Sequence, residues 1–576
     1  MERGPTGAAA GTLPRDGRDR LVSVRSVARS ASPIGLGAGL IFWFASLTPT
    51  LVPRGWIVQG VTSGVCIAIG YAIGAAAERT IRRVARRPDG APRATRPAPV
   101  QGVVLPLVVG VAGMIAWAAW QDEARDLVGM SHLAWWEGPP MVVLSVAVGV
   151  ALMWVGATIG RGLRAAHGIS RRRLPAWLAL PATVGLAVAF VGLVGSQVIV
   201  AANVIYESLD QGTNPGIDTP TLETVSGSPA SLVAWETMGL WGRDFAAGVT
   251  SRDQLLAYHG ADAQVRDPIR VFVGMRTADT IEERVAVAVR ELERAGGFER
   301  SVIAVWVPGG SGWIDPNAAR ALEQLHNGDT AIVAVQYSYL PSFFSLVIDS
   351  SQAIEAGSLL FDAVHERWAS LPEQDRPRLI VFGASLGASG AEKPFVGPDV
   401  AASVANFANR ADGALIVGSL GWNPILRQLT DARDPGSPAW QPSYAGGETV
   451  RFATGGSRLD HDTNWGPSRV LYLQHPDDPV AYPSLDSLWS PPAWMDEPRA
   501  DGVPPDTGWF PIVSAVQAAA DLSFAASLPS GFGHDYRVDY VDAFARIAPP
   551  AGWTDDDTAR LEAYLDADAA TAAGGP

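Results

Sequence analysis

Two hydrophobic rhythms divide this chain of 576 residues. Up to Tyr206, apolar residues run in long, nearly unbroken stretches; beyond it they form short β-branched runs separated by amphipathic segments. Five early stretches, 33–52, 57–77, 103–120, 141–160 and 174–204, approach the ~20 residues a helix needs to cross a bilayer's hydrocarbon core. The first is the least uniform, since it holds Thr48, Pro49 and Thr50. The later pattern predicts strands at 269–275, 301–307, 331–337, 379–382, 414–417 and 470–473. Helical periodicity fills 280–295 and 352–370. Asp315 reads as a helix N-cap, followed by Pro316 at the first helical position and closed by Gly328. Strands alternating with helices predict an α/β fold with a mostly parallel sheet covered on both faces. The expected organisation is a basic cytoplasmic tail (1–32), a transmembrane domain of about five helices (33–206), a connector (207–267) and an α/β domain (268–576).

Charge follows the same division. The chain's net charge is −14, but residues through Tyr206 hold 20 arginines against 9 acidic side chains, a net of +11. The remainder holds 24 basic and 49 acidic residues, a net of −25. Arginines crowd the tail, the 79–96 loop and the 161–173 loop, whereas the loop after the third stretch has one Arg against four acids. By the positive-inside rule the N-terminus is cytoplasmic, the chain crosses five times, and everything after Tyr206 lies outside. The acidic half lacks the basic stripe that phosphate contacts require, which excludes nucleic acid as a partner. A single cysteine, Cys66, leaves no intrachain disulfide and no Cys-based metal cluster. No charge sits in the middle of a stretch, which favours an anchor over a transporter.

The chemistry concentrates in the acidic half. LIVFGASLGASG runs a strand directly into Gly383-Ala384-Ser385-Leu386-Gly387, a G-x-S-x-G pattern that fits a sharp strand-to-helix turn presenting Ser385 as nucleophile. A serine needs a base, and the base an orienting acid. With that elbow the chain order is Ser, then Asp or Glu after a later strand, then His. His461, His475 and His534 follow Ser385; His534, in the Gly-rich SLPSGFGHDY, occupies the place of the base, and the other two read as structural. VLYLQHPDDPV supplies the acid: Asp478 is favoured, with Asp477 as the alternative. An oxyanion hole needs two N–H groups. Leu386 is expected to supply one, and Gly309 or Gly310 in AVWVPGGSGW the other.

These residues resemble a bacterial family of membrane-anchored α/β-hydrolases. The resemblance rests on SLTPTLVPRGWIVQG in the apolar half, and on VPGGSGWIDP, QYSYLPSFFS, GASLG, YLQHPDDPV and GFGHDY in the other. It implies Ser385, Asp478 and His534 as the triad. Ala384 stands where the family often has Glu, and Gly-Gly-Ser-Gly where it often has Thr-Gly-Thr-Gly. The expected activity is hydrolysis of an acyl ester of a lipid or cell-envelope component through an acyl-enzyme, without metal or organic cofactor, at a bacterial plasma membrane. Acyl transfer to an alcohol, and a non-catalytic membrane interaction protein on a hydrolase fold, are the alternatives.

Overall fold

The computed structural model describes residues 32–84, 101–455, 465–482 and 485–573. The N-terminal region holds helices α1 (Pro33–Ala45), α2 (Trp56–Val84), α3 (Gln101–Leu127), α4 (Gly138–Arg173) and α5 (Ala176–Asp210). Among the described residues, α2, α4 and α5 are long and apolar enough to cross a membrane. Three of the five expected crossings meet this measure. The first expected span is shorter than its hydrophobicity suggested. α1 stops at Ala45 after 13 residues, and the last seven residues of that stretch enter a buried loop. Ser46 and Thr48 turn their hydroxyls back onto the carbonyls of Trp43 and Ala45. Pro49 and Pro53 have no N–H to extend the ladder.

α2 is the centre of this region, packed between α1 and α4, with Gly74 against Ile34 and Gly64 against Val148. Small residues at such contacts let helix backbones approach closely. α5 and much of α4 turn apolar side chains outward, among them Val184, Leu186, Val188 and Phe190. The tail and the 85–96 arginines, on which the expected orientation partly rests, lie outside the described residues.

The second half is built on a seven-stranded parallel sheet in the order β1-β3-β2-β4-β5-β7-β6. The strands are β1 (Ile269–Val273), β2 (Val302–Val307), β3 (Thr330–Val335), β4 (Arg378–Ala384), β5 (Gly413–Val417), β6 (Val450–Ala453) and β7 (Arg469–Leu473). Six match the predicted runs. β6, four residues at the edge, carries Arg451 between Val450 and Phe452 and so shows no unbroken apolar run. The central strands are buried on both faces, which explains their unbroken apolar runs. The 207–267 stretch adds Val225, Val233, Met238 and Phe245 to the same core, and Val225 bridges to Arg270 of β1. β2 and β4 are neighbours, with Val307 opposite Gly383, so the loops leaving their carboxyl ends lie side by side. In parallel sheets ligands bind at such a place, where the strand order reverses.

Candidate active site

β4 ends at Ala384, and Ser385 takes φ 56° and ψ −123° before the helix Leu386–Glu392 begins. A non-glycine residue at positive φ is strained and is found mainly where a site holds it so. The local sequence imposes it. Gly387 lies so close to the carbonyl of Val307 that any side chain there would collide with it, and this contact brings the turn onto the end of β2. The Ser385 N–H donates to the Val417 carbonyl at 2.9 Å, tying the elbow to the end of β5.

β7 leads into Gln474-His475-Pro476-Asp477-Asp478, a turn in which the Asp478 N–H donates to the His475 carbonyl. Asp478 is fully buried. Its carboxylate lies 2.7 Å from His534 Nδ1, and accepts from the Tyr536 hydroxyl (2.6 Å) and the Val480 N–H (2.8 Å). Asp477, the alternative acid, turns elsewhere and accepts the Gly533 N–H at 2.9 Å. Burial pushes its carboxyl up to about 6. His475 has both ring nitrogens engaged away from Ser385: its ring stacks on Tyr536, with Nδ1 on the Gly533 carbonyl (2.9 Å) and Nε2 on Asp539 (3.0 Å). Burial works against its charged form, but the Asp539 carboxylate prevails and raises its pKa. His461 lies outside the described residues.

Gly418, the first residue after β5, joins the two halves of the site. Its φ is +51°, and a side chain there would run into the His534 imidazole and sit 3.1 Å from Asp478 Oδ2. The elbow is bonded to Val417 and the His–Asp pair lies over Gly418, so Ser385, Asp478 and His534 gather at the carboxyl ends of the strands. Among the described residues the Ser385 hydroxyl makes no hydrogen bond to His534. Catalytic hydrogen bonds are often long without substrate.

The oxyanion donors differ from expectation. Leu386 opens a helix, where the first N–H groups have no intrahelical partner and carry partial positive charge. Gly309 and Gly310, however, both donate inside their own neighbourhood. The Gly309 N–H goes to the Trp313 carbonyl (2.9 Å), and the Gly310 N–H to Ser342 Oγ (3.0 Å). The loop has closed on itself and on the helix Ser342–Asp349, which follows β3.

Two parts of the site were not foreseen. Tyr536, two residues beyond His534, holds the acid. The other is a buried polar cluster beneath the nucleophile helix. Ser419 Oγ donates to Glu392 (2.7 Å), Asn423 Nδ2 to Ser419 Oγ (2.9 Å), and Ser389 Oγ to Asn423 Oδ1 (2.7 Å). It fixes the turn containing Gly418 to the helix that begins at Leu386. Burial pushes the Glu392 carboxyl up to about 7, against hydrogen bonds from Ser419, Asn423 and the Ile425 N–H. The folded chain therefore holds this proton more tightly than the unfolded one. The group's contribution is fully present below its usual value of 4.5 and is lost as pH rises through about 7. The loss is on the order of 3 kcal/mol. Glu392→Gln is expected to flatten that decline, so denaturation midpoints at about pH 5 and pH 8 should differ less in the variant. Equal pH slopes in variant and wild type would remove Glu392 as the cause.

Among the described residues no group of His, Cys, Asp and Glu side chains could hold a metal ion. Comparison with known families matches residues 269–561 to an "Alpha/beta-hydrolase family" and residues 47–249 to an "Alpha/beta-hydrolase family N-terminus". Neither the curated proteins nor the solved structures give a match. With the first match alone spanning just over half its length, and carrying the parallel sheet and its serine elbow, the chain belongs to an alpha/beta-hydrolase family.

Proposed function

We propose that the protein is a serine hydrolase anchored in a bacterial plasma membrane, with its catalytic domain outside, acting on an acyl ester of a lipid or envelope component. The reading is carried by one observation: the strained Ser385 elbow beside the Asp478–His534 pair, both resting on the end of β5. Ser385 Oγ attacks the ester carbonyl while His534 Nε2 takes its proton. Asp478 holds the imidazole and stabilises the imidazolium. The Leu386 N–H, at the start of the helix that follows the elbow, stabilises the tetrahedral oxyanion. Collapse expels the alcohol, protonated by His534, and leaves an acyl-serine. Water, deprotonated by the same histidine, then releases the carboxylic acid.

Three features support a substrate drawn from the membrane. The outward apolar faces of α4 and α5 suit lipid rather than water. The helix ends that touch the catalytic domain, at 46–55, at Trp120 and at Asp210, are those without arginine clusters. Trp313, Phe344 and Trp422, on segments leaving β2, β3 and β5 at the site's edge, are exposed aromatics of the kind that settle at a lipid interface. Purified full-length protein is expected to hydrolyse chromogenic acyl esters and to be labelled by a fluorophosphonate at Ser385. Folded protein that is labelled nowhere, or at another serine, overturns the mechanism.

A further inference from the structure

The 46–55 loop does more than connect two helices. It is buried against the segment of the catalytic domain that lies between β7 and His534. Leu51 packs with Trp494, Ala500 and Val503, and Val52 with Val128 and Leu528. Ala45 and Cys66 close over Val513. Most of this segment's hydrophobic clusters are therefore completed by residues of the N-terminal region rather than by the main core. Polar groups follow the same line. Gln517, on the helix Val513–Ser523, donates to the carbonyls of Ser46 (3.2 Å) and Thr48 (3.1 Å). Arg54, 1 % exposed, faces Asp521 of the same helix at 3.6 Å. Thr50 and the Val52 backbone also approach that carboxylate.

From this helix the chain leads directly to the candidate base. The His534 N–H donates to the Ala525 carbonyl at 3.0 Å, and the Leu528 side chain fills the space beneath Gly533. A loop that only tethered the domain would have no need of a buried guanidinium. Taking two charges out of water costs several kcal/mol per ion before their attraction is counted, so a buried pair is weak evidence for a purely stabilising role. We infer that the 46–55 loop is a working part of the active site, in which Arg54 and Gln517 act as positioning residues that hold His534 over Gly418. This rests on the reading of Ser385 and His534 as nucleophile and base.

The test uses full-length protein in detergent and measures kcat, KM and the rate at which a fluorophosphonate labels Ser385. Arg54→Ala is expected to lower kcat and labelling at least about tenfold with KM little changed, and Arg54→Lys to restore part of both. Gln517→Leu keeps volume and burial without touching a charge, and is expected to lower kcat several-fold; it decides the matter where Arg54→Ala does not fold. Folded variants labelled as fast as wild type, or losing only KM, overturn the inference and leave the serine hydrolase intact. Failure of the wild type to be labelled overturns both.

Discussion

Ser385→Ala is expected to reduce ester hydrolysis by at least about 10⁴-fold, to the level that binding and oxyanion stabilisation alone provide. The substitution removes one oxygen from a partly exposed position and leaves the elbow in place. The residue's N–H still reaches the Val417 carbonyl, and the contact of Gly387 with Val307 does not depend on the side chain at 385. Alanine meets the same strain at positive φ as serine, so the cost in stability is small. Initial rates with a chromogenic ester, measured beside far-ultraviolet circular dichroism, separate the two effects. A folded variant that kept a tenth of the wild-type rate would mean that Ser385 is not the nucleophile.

The site was legible in the sequence to the extent that it is written in local chemistry. The LIVF strand running into GASLG announced the elbow because a turn this tight admits only small residues at its flanks. Chain order then reached His534 and the Asp477–Asp478 pair. It could not divide the two acids by geometry, because adjacent residues in a turn point different ways and only the position of Gly533, some 56 residues on, decides which faces the histidine. The oxyanion loop failed for a similar reason. Gly309 and Gly310 have the right residue type in the right place, but Ser342, which takes the Gly310 N–H, is 32 residues away. The apolar half misled differently. Leu47, Leu51 and Val52 carried the apolar pattern past Ala45, so a span was expected where the chain leaves the helix; these three side chains are buried in protein. Periodicity reports burial, and it does not say whether lipid or another domain provides it.

Asp478→Asn should be the most informative change at the acid, with kcat expected to fall by about 10³- to 10⁴-fold and little change in KM. The amide keeps an oxygen for the Val480 N–H and preserves most of the volume. It removes the negative charge that stabilises the imidazolium, and it can present an N–H₂ to His534 Nδ1, favouring the wrong tautomer. The Tyr536 hydroxyl then competes for the remaining acceptor, so the histidine loses its anchor although the fold survives. Asp477→Asn serves as the internal comparison. Its carboxyl, already pushed up to about 6 by burial, acts as the acceptor for the Gly533 N–H, and an amide oxygen fills that role equally well. The Asp477 variant is expected to lose less than about tenfold, since the bond is kept and only its charge assistance, about 1 kcal/mol, is lost. The ranking carries the argument, because both residues lie in the same turn and both are buried. If Asp477→Asn proved the more damaging of the two in kcat, the acid would be Asp477, and His534 would have to turn away from its present partner to reach it.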